Sequence, residues 1–219
     1  MENENRNRKS SRLYVLGAVY VIAAYTFIFL YAGVDNMELS ESLLPFQNIL
    51  RCFFGFLPFI LGILNFIVMF TVGKRFDRNT LLNCAVLIKY SLIPFYIIGG
   101  GIILLFLLFS FTPVPFMIFV GPTVALVLYI VGWLILVGSA PFSIVYIAKS
   151  SKEGVHGKIL SVVSGIFQFF FVFDVISMMI LALKEKRWRK LTIAIITLLM
   201  VLGIVCSIGI VMLIVNSRT

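Results

Sequence analysis

The chain has 219 residues, 61% of them hydrophobic and only 12% charged. A soluble domain carries about 25% charged residues, so this composition cannot furnish a water-facing surface and excludes an ordinary soluble enzyme. The net charge of +9 reads as the basic bias of loops held on the cytoplasmic side of a membrane, and no nucleic acid is expected as a partner.

Of the 18 Lys and Arg and nine Asp and Glu residues, all but two lie between long apolar runs or at the chain ends. The two exceptions are Lys89 and Asp174. About 20 apolar residues in a helix cross the hydrocarbon core of a bilayer. The expected fold is therefore all-α, a polytopic transmembrane helix bundle occupying 13–215 as one domain. Residues 1–12, MENENRNRKSSR, form a basic cytoplasmic N-terminus. The first span, 13–33, has 21 residues, longer than the roughly 7–15-residue core of a signal peptide, and is expected to be retained.

The acidic connection 34–51 leads to a second span at 52–72, closed by the basic turn GKRFDRN. The next apolar run, 81–109, has 29 residues, too many for an upright span. If Lys89 snorkels to the cytoplasmic interface, 90–109 is the third span and 79–88 a juxtamembrane extension. Pro94 and Gly99-Gly100-Gly101 are expected to bend or loosen it. SFTPVP (110–115) is an uncharged turn. The fourth span is 116–137, with Trp133 in an interfacial belt. Ser139-Ala140-Pro141 then reads as an N-cap opening a short interfacial helix that runs to Ala148. KSSKEGVHGK follows as a polar loop in which His156 is expected to be solvated. The fifth span is 159–183, the sixth is 191–215, KEKRWRK lies between them, and 216–219 is a short tail.

With six spans and the N-terminus inside, 11 Lys and Arg residues lie inside and six outside, Lys89 not counted. The bias follows the positive-inside rule, although KEKRWRK falls outside. Seven spans would bring that cluster inside, giving 12 against five. They would also force three helices into 81–148. Six spans are favoured.

Asp174 sits near the middle of the fifth span, in IFQFFFVFDVISMM (166–179). An acidic side chain there costs about 2.5–3.5 kcal/mol on insertion scales, so it should face a bundle interior or a cavity. It is either an ion or proton site, or a carboxyl hydrogen-bonded between helices. On one straight helix Ser161, Ser164 and Gln168 share a stripe and Asp174 lies about 120° from Gln168, which predicts two separate contacts. Direct pairing of Lys89 with Asp174 is not expected, because the six-span ruler places them at different depths. Asn65 and Asn83 are expected to bond between helices. Gly55, Gly62 and the Gly203/Ser207 pair read as close-packing positions. Cys52, Cys84 and Cys206 show no CxxC, and His156 stands alone, so no metal site is expected. No catalytic set is evident and no cofactor is implied.

DRNTLLNCAVLIKYSLIPFYIIGG, FVGPTVALVLYIVGWLILVGSAPFSIVYIAKS and QFFFVFDVISMMILALKEKRW together resemble an uncharacterised family of small multi-pass bacterial membrane proteins. The resemblance implies a bacterial cytoplasmic membrane and no activity. The expected role is a non-enzymatic membrane subunit or small transport-related component, with the lipid bilayer, a second copy or another membrane subunit as partner. The alternatives are an immunity or sensor protein acting by recognition and, last, an intramembrane enzyme.

Overall fold

The computed structural model describes residues 2–33, 44–112, 114 and 116–216. Among them are seven α-helices, one 3-10 turn and no strand. Apolar runs this long can satisfy their backbone groups away from water only by bonding within themselves, which a helix does completely. The helices are α1 (Glu2–Gly33), α2 (Leu44–Thr71), α3 (Arg78–Phe109), α4 (Met117–Lys152), α5 (Lys158–Phe167), α6 (Phe173–Lys184) and α7 (Arg189–Asn216), with the 3-10 turn at Gly73–Arg75. Five of them, α1 to α4 and α7, are long and apolar enough to cross a membrane. Most of the acidic connection (34–43) and both prolines of the TPVP turn lie outside the described residues.

The chain divides into two compact units, Met1–Met178 and Met179–Thr219. In the first, α4 packs against α2, α3 and α5, while α1 packs against α2 and α3. The core includes Tyr20 from α1, Leu82, Ile88 and Leu92 from α3, and Leu136, Phe142 and Tyr146 from α4, all fully buried. Two glycines let α2 and α4 meet. A Cβ built on Gly138 would lie 3.0 Å from the Cα of Gly62, and one on Gly62 would lie 3.2 Å from the Cα of Gly138. Gly62 thus has the close-packing role expected of it. Gly55 does not among the described residues, because a Cβ there meets none of them within 4 Å. Asn65, one turn beyond Gly62, is fully buried and donates to the Gly138 carbonyl at 3.1 Å.

In the second unit, Glu185, Lys186 and Arg187 donate backbone N–H groups to Leu181, Leu183 and Ala182. This closes α6 with Lys186 in the left-handed region at φ 55°, the place a glycine usually takes. Most of the described side chains of α7 are exposed. Gly203 has nothing near it, and Ser207 donates to the Gly203 carbonyl at 2.8 Å along its own helix. The Gly203/Ser207 pair therefore packs against no neighbour among the described residues.

Three expected boundaries change. No interfacial helix opens at Ser139, because α4 runs unbroken through Pro141 for 36 residues. Proline costs about 3 kcal/mol in a helix interior, but every residue from Gly138 to Ser143 is buried and that packing offsets the loss. Helix α3 is continuous for 32 residues through Pro94 and Gly99–Gly101, so 79–88 belong to it, and Lys89 is buried rather than at its edge. The single fifth helix is instead two, α5 and α6, separated at 168–172.

One end of the first unit is tied by polar groups. Arg78 and Glu153 form an ion pair at 3.0 Å, and Lys149 donates to the Phe76 carbonyl. The α2–α3 and α4–α5 connections therefore share one end of the bundle. His156 is not a solvated loop residue. It is 6% exposed and its Nε2 lies 3.1 Å from the Tyr146 hydroxyl, because the loop folds back onto the last turns of α4.

Candidate functional site

Lys89 lies on the twelfth residue of α3, and Asp174 is the second residue of α6. Their side chains meet: Lys89 Nζ is 2.6 Å from Asp174 Oδ2, and both are 0% exposed. The same ammonium donates to Ser139 Oγ at 2.9 Å, and Ser139 Oγ donates to the Leu136 carbonyl at 2.7 Å. The two charges set within apolar runs thus neutralise each other across α3, α4 and α6. This overturns the expectation that they stand apart. The six-span ruler took Lys89 as the membrane boundary, whereas α3 begins 11 residues earlier and carries Lys89 about 16 Å into the bundle.

Such a pair holds because each partner supplies what burial removes. A buried ion loses several kcal/mol of hydration, which only a close counter-charge and further hydrogen bonds repay. Asp174 gains from its place in the first turn of α6, where the helix dipole favours negative charge. Among the described residues its Oδ1, however, has no hydrogen-bond partner, and neither does the buried Oε1 of Gln168 or the hydroxyl of Tyr96. Buried oxygens without partners are rare in folded proteins, and the hydroxyls of Ser143, Ser150 and Ser161 in α4 and α5 share that state.

The break between α5 and α6 gathers further polar groups beside the pair. Backbone bonds tighten to an i−3 pattern from Gln168 through Phe170, and the ladder restarts where the Asp174 N–H reaches Phe170 and Phe171. The Phe169 carbonyl inside the break accepts from the Trp133 indole at 3.1 Å. Trp133 is therefore a partner of the broken segment rather than only a belt residue. Gln168 bridges the two halves, donating to the Ser164 carbonyl at 3.2 Å and to Ser177 Oγ at 2.8 Å. Ser177 in turn donates to the Asp174 carbonyl at 2.9 Å.

The side chains of Gln168 and Asp174 make separate contacts, Gln168 with Ser177 of α6 and Asp174 with Lys89 of α3, and Ser177 links them only through the Asp174 backbone carbonyl. The extrapolation at 100° per residue holds only along an unbroken helix, and the break resets the phase. Phe171 turns inward here, its ring 5.6 Å from Tyr96 and 5.4 Å from Tyr129, beside Gly132, where an added Cβ would meet it in ordinary contact at 3.5 Å. Phe170 and Phe173 face outward. Asn65 serves the α2–α4 crossing. Asn83, half-buried six residues before Lys89, is not joined to the pair by these bonds. Ser139 was the residue least legible as part of the site, although its small neighbours Gly138 and Ala140 marked a close approach.

A model of a family of unknown function matches residues 10–187, a stretch that contains Lys89, Ser139, Gln168 and Asp174. The chain belongs to this family, DUF6652. No curated protein matches the DUF6652 chain, and no solved structure does. The site therefore has to be interpreted from its own chemistry. It offers a buried Lys–Asp pair and, among the described residues, oxygens without hydrogen-bond partners. Among the described residues it has no cluster of three metal-ligating side chains.

Proposed function

We propose that this DUF6652 protein is a multi-pass integral membrane protein acting as a small transport-related component. It works by conformational change and proton binding rather than by covalent chemistry. It crosses the bacterial cytoplasmic membrane six times with its N-terminus inside, α5 and α6 together making one broken crossing. Two observations favour that count over seven. Helices α3 and α4 are each continuous, over 78–109 and 117–152, and the Arg78–Glu153 pair holds two basic connections at one end.

The observation that carries the functional reading is the fully buried Lys89–Asp174 pair at the mouth of a broken helix. Broken helices with polar groups at mid-depth are where membrane transporters place substrate and coupling ions. A proton added to Asp174 removes the counter-charge of Lys89 and leaves a buried ammonium with Ser139 alone. The joint between α5 and α6 is then released from α3. Proton binding and movement of the break are thereby one event.

The test is reconstitution into sealed liposomes carrying a trapped pH indicator, with an imposed potential. Proton flux above that of empty liposomes is expected from the native chain. Asp174→Asn should reduce it to background, while Arg51→Gln should leave it unchanged. Equal flux from native protein, Asp174→Asn and empty liposomes would remove the transport reading. It would leave a recognition role, as an immunity, sensor or subunit-binding protein, in its place.

A further inference from the structure

A second polar feature lies at the basic end of the first unit. A pocket of about 320 Å³ opens where the start of the apolar part of α1, the 3-10 turn and the first turn of α3 come together. We propose that it binds the headgroup of an anionic phospholipid. The inference rests on the membrane location proposed above and not on transport.

The lining is part apolar and part polar. Leu13, Leu16, Val68 and Val72 form an apolar floor, while Arg12, Arg75 and the hydroxyls of Ser10 and Thr80 stand with them. Arg12 and Arg75 are exposed, whereas Leu13, next to Arg12, is 2% exposed. A guanidinium offers a planar fork of N–H donors that matches two phosphate oxygens at once. Two of them on one pocket supply the charge for a phosphodiester. Asp77 also lines the pocket and opposes a bare anion, but it favours a headgroup that carries a hydroxyl beside its phosphate.

The apolar floor decides between two sources of phosphate. A free phosphate ion gains nothing from Leu13, Leu16, Val68 and Val72, whereas the glycerol and first methylenes of a lipid cover them. The position agrees, since the polar-to-apolar change in α1 at Arg12-Leu13 sits where headgroups meet hydrocarbon. Basic pockets between membrane helices on the cytoplasmic side recognise anionic lipids in this way.

The experiment uses the full chain purified in neutral detergent and a fluorescent phosphatidylglycerol, with phosphatidylcholine as the zwitterionic comparison. Phosphatidylglycerol should bind at least roughly tenfold more tightly. Arg12→Gln/Arg75→Gln should lose that preference, while Lys152→Gln/Lys158→Gln, the same charge change outside the pocket, should keep it within about twofold. Val72→Trp fills the floor without altering charge and should also lose binding, with the helical circular dichroism unchanged. Equal loss from both charge variants would mean diffuse attraction and overturn the site. So would equal binding of the two lipids, or full competition by millimolar inorganic phosphate. If the chain is extracted from native membranes by alkaline carbonate, the membrane reading falls and the site with it. A chain that stays in the membrane but shows no lipid preference sinks the site alone.

Discussion

Lys89→Met and Asp174→Asn, each made alone, are expected to lower stability by about 3–5 kcal/mol, the usual cost of leaving one buried charge without its partner. Both side chains are 0% exposed and Nζ lies 2.6 Å from Oδ2, so neither can turn to solvent when the other is removed. Lys89→Met leaves a carboxylate whose Oδ1 already lacks a partner among the described residues. Asp174→Asn leaves an ammonium whose remaining partner is Ser139. The double variant Lys89→Met/Asp174→Leu removes both charges and fills the volume with carbon. It should cost far less than the two single changes together, because apolar replacement of a whole buried pair is often close to neutral. Reversible unfolding in mixed micelles measures all three. A double variant as unstable as the sum of the singles would show that the two side chains do not interact.

The second large effect is expected at the α2–α4 crossing. Even the methyl of Gly138→Ala would stand 3.0 Å from the Cα of Gly62 and 3.1 Å from Tyr20 Cζ, and closer still to the Tyr20 hydroxyl. The Gly62 backbone cannot step aside as a flexible side chain could, so the helices must part. Overpacking of this kind costs about 1–3 kcal/mol, and Gly138→Leu should prevent folding. The damage would spread, because Ser139 holds Lys89 and the Gly138 carbonyl receives Asn65. Gly55→Ala, at a position where a Cβ meets none of the described residues within 4 Å, is the counterpart. It should be neutral or stabilise by up to about 1 kcal/mol through helix propensity. Unfolding midpoints of the two alanine variants, measured together, separate a packing effect from a propensity effect. A Gly138→Ala protein as stable as Gly55→Ala would contradict the close crossing.

Much of this arrangement was legible in the residues themselves. Apolar runs marked the long helices, and Asn65 announced a partner because an amide in such a run must find one. Lys89 and Asp174 stood out as the two charges inside those runs. Their pairing was hidden by a ruler that assumes each helix is as long as the hydrocarbon is thick. Helix α3 has 32 residues, well beyond the roughly 20 needed to cross, and the excess carries Lys89 inward.

The helix break was hidden for a different reason. QFFFVF itself holds no glycine or proline, the single Gly165 lies three residues before it, and aromatic residues lower helix propensity only slightly. What sustains the break is tertiary: the Trp133 indole on the Phe169 carbonyl, Phe171 against Gly132, and Gln168 reaching Ser177. Pro141 shows the converse. A residue that ordinarily ends or opens a helix is carried through one, because its neighbours are buried on every side. His156 was misread because a lone polar residue in a loop has no periodicity to report which way it faces.

The pair itself can be observed in its expected surroundings. Solid-state NMR of the chain in lipid bilayers, with 15N at lysine Nζ and 13C at aspartate Cγ, measures the separation of the two groups directly. A short Lys–Asp coupling, consistent with the 2.6 Å Nζ–Oδ2 contact, should be present in the native protein and absent from both Asp174→Asn and Lys89→Met. No short coupling in the native chain, or one that survives both substitutions, would contradict a Lys89–Asp174 pair closing a broken helix within the membrane.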